Sequence, residues 1–182
     1  MRCSDCLHYY LPMRIRKLGD EVLRQKCEKI TVFDDELKDL ENQMYATMEQ
    51  AGGVGLAGPQ VGVSKRIFVV EIPAEEIKQT FVNPQIIETS FETGIYNEGC
   101  LSLPGLEHEL ERPVRVTVNA LNTDGKPFTV KADGLYARAI QHENDHLNGI
   151  LYIDRLDESE KRRMEVLFRK KQDALKKARR RH

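Results

Sequence analysis

The stretch Leu135-Tyr136-Ala137-Arg138-Ala139-Ile140-Gln141-His142-Glu143-Asn144-Asp145-His146-Leu147-Asn148 decides how this chain is read. Its apolar and small residues favour a buried helix, introduced by Asp133-Gly134 and closed by Gly149 as a C-terminal cap. Positions four apart on an α-helix differ by only about 40° around the axis and ~6 Å along it, so the imidazoles of His142 and His146 can converge on one metal ion. Glu143 follows the first of them, where a carboxylate reaches a water at the metal rather than the metal itself and accepts its proton. This is the H-E-x-x-H pattern of metal-dependent hydrolases. Leu135, Ala137, Ala139, Ile140 and Leu147 make the helix apolar, so three polar side chains in its middle need a reason of this kind. A catalytic site also requires a third protein ligand and an open position, which the helix does not provide.

Working outward, Val114, Val116, Val118 and Ala120 alternate with Arg115, Thr117 and Asn119, and after Asn122-Thr123-Asp124-Gly125 a second alternation runs through Phe128, Val130 and Ala132. That predicts a half-buried hairpin leading into the motif helix. Residues 66 to 72 (RIFVVEI) predict a strand, with further short strands at Thr80 to Val82 and Gln85 to Thr89. Asp34 and Asp35 open an amphipathic helix with Leu37, Leu40, Met44 and Met48 on one face, stopping at Gly52-Gly53. A last helix from about Asp157 carries Met164, Leu167, Phe168, Leu175 and Ala178 on one side and basic residues elsewhere. Strands, antiparallel pairing and a motif helix together give the α+β class.

The 182 residues suit one domain with one sizeable core. The expected division is a leader over 1–12, a catalytic domain over 13–157 and a basic C-terminal helix over 158–182. No apolar run approaches the roughly 18 residues that span a bilayer, and the N-terminus lacks the apolar stretch of a signal peptide, so the protein is expected in the cytoplasm with no membrane partner. Cys3, Cys6, Cys27 and Cys100 are too few and too scattered for a disulfide framework. Cys3-x-x-Cys6, with His8 nearby, starts a zinc knuckle that no second pair completes. The net charge of −1 hides an asymmetry: from Glu158 onward eleven Lys or Arg face four Asp or Glu. The tail therefore carries +7 and the rest of the chain −8. Oligomeric state leaves no signal in the sequence.

Candidates for the third ligand are acids or Cys100. Cys100 lies in Glu98-Gly99-Cys100-Leu101-Ser102-Leu103-Pro104, a glycine-flexible turn stopped by proline, which suits a rigid loop presenting a thiolate and an adjacent backbone N–H. A third segment, Gly53-Val54-Gly55-Leu56-Ala57-Gly58-Pro59-Gln60, is glycine-rich and lacks the lysine of a phosphate-binding loop. Taken in this order, the three segments resemble those of the peptide deformylases: GVGLAGPQ is similar to that family's GxGxAAPQ, EGCLSLP to EGCLS, and QHENDHLNG to QHExDHLxG. The resemblance spans roughly Met13 to Tyr152.

What the resemblance implies is a three-ligand metal site of Cys100, His142 and His146, with Glu143 as general base. Gln60 and the backbone N–H of Leu101 would hold the formyl oxygen, and Gly55 would contact the substrate backbone. It further implies Fe2+ in the cell, with Zn2+, Ni2+ or Co2+ accepted, a choice that a thiolate and two imidazoles leave open. The substrates would be N-formylmethionyl peptides and the products formate and a free N-terminus. A formyl carbon carries only hydrogen, so a tight site excludes bulkier acyl groups. Two positions depart from the family: Gly58 replaces the usual alanine, which should loosen its loop, and Glu107 stands where many members carry an arginine near the peptide groove. Asp145 is open to orienting a ligand, pairing with Arg112 or lying exposed. The basic tail reads either as a solvated helix end or, with the family's use of a C-terminal helix at the exit tunnel, as a ribosome contact through RNA phosphates. The competing functional classes are an HExxH metallopeptidase acting on internal or terminal peptide bonds and an RNA-binding module without activity.

Overall fold

The computed structural model describes residues 10–179, so the Cys3-x-x-Cys6 pair lies outside the described residues. The α+β architecture is the expected one. Helix α1 (Asp35–Gln50) is followed by strands β1 (Gly55–Ala57), β2 (Ile67–Ile72), β3 (Ile77–Thr89), β4 (Thr93–Gly99), β5 (Glu107–Pro113), β6 (Arg115–Leu121) and β7 (Pro127–Asp133), then by helices α2 (Gly134–His146) and α3 (Glu158–Arg179). The strands form an antiparallel five-stranded sheet in the order β1-β2-β3-β6-β7 and a separate two-stranded ribbon, β4-β5. No helix of the described residues is long and apolar enough to cross a membrane.

The apolar run Ile67–Val70 of β2 reflects burial on both faces. Phe68, Val70 and Ile72 pack with Ala137 and Ile140 of α2, while Ile67 and Val69 pack with Leu37, Met44 and Met48 of α1. The cap expected of α1 is present: the Asp34 carboxylate accepts from Leu37 N at 3.1 Å. The predicted hairpin is β6-β7, with Val118 opposite Val130 and Ala120 opposite Phe128.

Three local expectations need correction. The two short strands at 80–82 and 85–89 are one strand, β3, because the register with β6 shifts between Val82 and Gln85 and again between Ile86 and Glu88 instead of ending. Asn83 absorbs the first shift in the left-handed region (φ 51°), held there by side-chain bonds to both the N–H and C=O of Ile30. The stripe on α3 docks only in part: Met164 and Phe168 are buried in a cluster with Tyr152 and Leu103, but Leu167, Leu175 and Ala178 are exposed. Gly58 does not loosen its turn. A Cβ there would stand 2.7 Å from the Val63 carbonyl oxygen and 2.9 Å from that of Lys65, so the glycine lets the following segment close more tightly.

The β4-β5 ribbon was not foreseen. Thr93–Gly99 begins and ends near glycine and has a single β-branched aliphatic residue, so propensity says little about it.

Candidate active site

Helix α2 ends its apolar turns against the sheet and then presents His142, Glu143 and His146 to the loop that follows β4. All three are buried, at 8%, 4% and 1% exposure. Cys100 arrives from that loop, its Sγ 3.3 Å from His146 Nε2, and His146 Nε2 lies 3.2 Å from His142 Nε2. One donor atom from each residue falls within 4.8 Å of the others, the three forming the candidate metal group among the described residues. Two nitrogens each about 2.0 Å from a tetrahedral ion stand about 3.3 Å apart, so the spacing fits a single divalent metal. The donor chemistry fits as well. Burial alone would push the Cys100 thiol up, but His146 and His142 beside it hold it well below its ordinary value, as a thiolate.

His142 is oriented from behind by Glu98, whose Oε1 lies 2.6 Å from His142 Nδ1. That contact favours a proton on Nδ1 and turns Nε2 toward the Cys100 and His146 side. Burial opposes the charged imidazole, yet the Cys100 thiolate and Glu98 raise its pKa well above the ordinary value. Glu98 in turn accepts from Arg112 Nε at 2.9 Å and Nη2 at 2.7 Å, and from Arg138 Nη1 at 3.0 Å. Burial would raise this carboxyl, but His142 and Arg112 hold it well below the carboxylate range. Arg112 also donates to Asp145 at 2.8 Å, which settles the three readings of Asp145 in favour of the pair. Neither Glu98 nor Arg138 carried a role in the sequence. The signal for Glu98 was its place two residues before Cys100, which in a strand sends both side chains to one face.

Glu143 differs from every other acid near it. Its Oε2 is buried without a hydrogen-bond partner among the described residues, and burial lifts its pKa to about 7 despite the pull of His142 and His146. Gly55 is pressed against it: a Cβ on Gly55 would come 2.5 Å from Glu143 Oε1. A glycine is therefore required there to keep the carboxylate in place, besides any contact with substrate. Gln60 sits in the tight turn Gly58–Val61, where its Oε1 accepts from Ala57 N at 2.8 Å. That bond orients the amide so that Nε2 points at Ser102 Oγ (3.3 Å) and Cys100 Sγ (3.6 Å). The N–H of Leu101 has no acceptor among the described residues. The N-terminal segment straps this corner together: Lys17 Nζ donates to Leu101 O at 2.7 Å, Leu18 N to Ser102 O and Arg16 N to Gln60 O. These residues open onto a cleft of about 450 Å³ that runs between Gly53–Gly55 on one side and Asn97–Gly99 on the other.

The model of the family described as polypeptide deformylase matches residues 12–162, which takes in every element of this site. The chain belongs to that family. The peptide deformylase of Natranaerobius thermophilus is 50% identical over 145 residues, covering 80% of this chain and 92% of that one, and peptide deformylase 1 of Clostridium acetobutylicum is 47% identical over 146 residues, covering 80% and 95%. Among solved structures, a peptide deformylase from Legionella pneumophila superposes with a TM-score of 0.85 at 39% identity, covering 94% of this chain and 99% of that one. One from Synechococcus elongatus in complex with actinonin gives 0.81 at 40% identity, covering 88% of each. As a peptide deformylase, a hydrolase acting on a linear amide, the chain gives the H-E-x-x-H helix a different task from the endopeptidase alternative, which the family membership does not favour.

Proposed function

We propose that this deformylase removes the formyl group of N-formylmethionyl chains with Cys100, His142 and His146 holding one divalent ion and Glu143 acting as general base. The observation that carries the assignment is the meeting of three donor atoms beside a buried carboxylate oxygen with no partner among the described residues. When bound, the ion supplies Lewis acidity and lowers the pKa of water from ~15.7 towards ~7. Glu143 accepts the proton of the attacking water on its unpartnered oxygen. Negative charge then grows on the formyl oxygen, where Gln60 Nε2 and the Leu101 N–H donate; donors of this kind are each worth about 100-fold in rate. As the formyl C–N bond breaks, Glu143 passes its proton to the leaving amine, and formate and a free N-terminus result.

The substrate backbone has a natural berth. Among the described residues strand β1 is an edge of the large sheet and β4 pairs only with β5, so two unpaired strand edges border the cleft. We place the peptide between them as an extended strand, with Gly55 beside its backbone. For the ion, a thiolate with two imidazoles supports Fe2+ in the cell and Zn2+, Ni2+ or Co2+ in purified protein. The expected result for protein purified without oxygen is formate release from formyl-Met peptides in proportion to its metal content. Cleavage of internal peptide bonds without formate would replace this reading by the metallopeptidase one.

We further propose a cytoplasmic enzyme, composed of a leader over 1–12, the catalytic domain over 13–157 and the basic helix over 158–182, that meets nascent chains at the ribosome. What supports the contact is the exposed far half of α3, whose Lys170, Lys176 and Lys177 stand free of carboxylates within salt-bridge distance among the described residues. Reversing these three charges to Glu should weaken co-sedimentation with ribosomes by about tenfold or more at low salt, since each phosphate contact contributes to the salt-dependent affinity. Equal co-sedimentation of the two proteins would sink the contact.

A further inference from the structure

A second cavity, of about 850 Å³, shares no lining residue with the catalytic cleft. Its charged lining is Lys26, Lys29 and Arg66, with no Asp or Glu among them. That composition runs against the rest of the molecule, since residues 1–157 carry −8. Arg66 is partly buried and held by neutral oxygens: Nη1 donates to Asn148 Oδ1 at 3.1 Å and Leu147 O at 3.5 Å, Nη2 to Pro84 O at 3.1 Å and Asn144 Oδ1 at 3.5 Å. Asn144 follows His142 by two residues, about 200° around the helix, so Arg66 grips the face of α2 turned away from the metal donors. Burial pushes the Arg66 guanidinium below its ordinary pKa, with Cys27 beside it pulling the other way. The nearby acid, Glu28, is taken by Lys65 at 2.7 Å, and among the described residues no carboxylate lies within salt-bridge distance of Lys26, Lys29 or Arg66. A partly desolvated cation with neutral partners is the setting in which an anion is stabilised most.

The two lysines stand on a fixed backbone. Cys27 N donates to Leu147 O at 2.9 Å and Glu28 N to Ser64 O at 3.0 Å, while Ile30 N donates to the Asn83 side chain at 2.8 Å. Their exposed side chains are thus anchored beside Arg66 yet free to close on a ligand. The remaining lining is neutral, with the amides of Gln85 and Asn119 and the apolar groups of Leu121, Pro127 and Phe128. Three cations exceed what one singly or doubly charged anion neutralises, and the volume lies within the ~300–1,000 Å³ of small-molecule sites. Lysines bind phosphate as point charges, which suits several phosphoryl groups in a row better than the planar pairing a single carboxylate requires. We propose that this cavity binds a phosphate chain of two or more phosphoryl groups, free or carried on a nucleoside. Such a ligand would sit against the back of the motif helix, and its binding is independent of the reaction assigned to the cleft.

The test is calorimetric titration of the metal-loaded full chain at low ionic strength with tripolyphosphate, orthophosphate, ATP and adenosine. Tripolyphosphate should bind at one site, about tenfold or more tighter than orthophosphate, and weaken as salt shortens the Debye length below about 10 Å. Reversing both exposed lysines, Lys26→Glu with Lys29→Glu, should cost about tenfold in affinity, and the milder pair Lys26→Gln with Lys29→Gln about threefold. The protein with Lys170, Lys176 and Lys177 changed to Glu should bind as wild type does, which separates this cavity from the basic tail. ATP binding as tightly as tripolyphosphate or more so assigns the cavity to a nucleotide, and weaker ATP binding assigns it to the free chain. An affinity untouched by the Lys26 and Lys29 substitutions overturns the proposal, since the anion would then be held elsewhere, at the metal included. Loss of binding with the tail lysines, adenosine binding as tightly as ATP, or no binding of tripolyphosphate by wild type overturns it as well.

Discussion

Glu143→Gln is expected to slow formate release by about 10³-fold while metal content stays at the wild-type level. The substitution keeps the shape of the side chain and a group able to hydrogen-bond water, and removes only the ability to take and return a proton. A Cβ on Gly55 would stand 2.5 Å from Glu143 Oε1, so the backbone there confines the side chain on that side. Metal retention should survive because the donor atoms belong to Cys100, His142 and His146. Stability supplies an independent check on the same residue. In the metal-free protein, burial lifts Glu143 from its ordinary 4.5 to about 7, so the folded chain keeps a proton that the unfolded chain releases in between. Wild type therefore loses this contribution as pH rises from about 4.5 to 7, and the glutamine variant, which has no such proton, gains in Tm relative to wild type over that window. If the variant released formate at the wild-type rate, Glu143 would not be the base.

Glu98→Ala should cost about 3–5 kcal/mol of folding stability, the penalty for leaving buried charges without their partner. One carboxylate serves Arg112, Arg138 and the His142 ring, and both arginines are nearly inaccessible, at 3% and 8% exposure. Arg112 keeps Asp145, and Arg138 keeps the carbonyls of Leu110 and Gly94, so the loss falls short of two unpaired ions. The same substitution frees the His142 tautomer and should weaken metal binding by about 10- to 100-fold. Urea unfolding reads the first effect and competition with a chelator the second. Glu98→Gln separates them, since it retains an acceptor for His142 while giving up the charge. An alanine variant with wild-type unfolding and wild-type metal retention would show that the network is not what holds the ligand.

The difference between what could and could not be foreseen runs along sequence separation. His142, Glu143 and His146 lie within five residues of one helix, so their convergence follows from helical geometry. Cys100 was one candidate among several acids until its motif was set beside two others, because nothing local ties a loop residue to a helix more than 40 positions away. Glu98 was in view as a letter of that motif, but its task depends on Arg112, Arg138 and His142 arriving from two other elements. The α3 stripe shows the opposite failure. Its periodicity is real, yet only Met164 and Phe168 reach the cluster with Tyr152 and Leu103, and Leu167 and Leu175 are left exposed.

The sequence by itself determined the class of fold, the helix with its two imidazoles and carboxylate, the hairpin leading into it and, through three motifs, the family. These are matters of residue type and short-range period, which the backbone's own geometry converts into structure. Tertiary structure alone decided that a two-stranded ribbon forms between β3 and β6, that Glu98 sits against Nδ1 of His142, that Gly55 is needed against Glu143, and that Glu107 lies at the rim of the cleft with no Lys or Arg within salt-bridge distance among the described residues. The physical reason is that each depends on which distant surfaces share a buried volume, and burial, rather than spacing along the chain, determines whether a charge must find a partner.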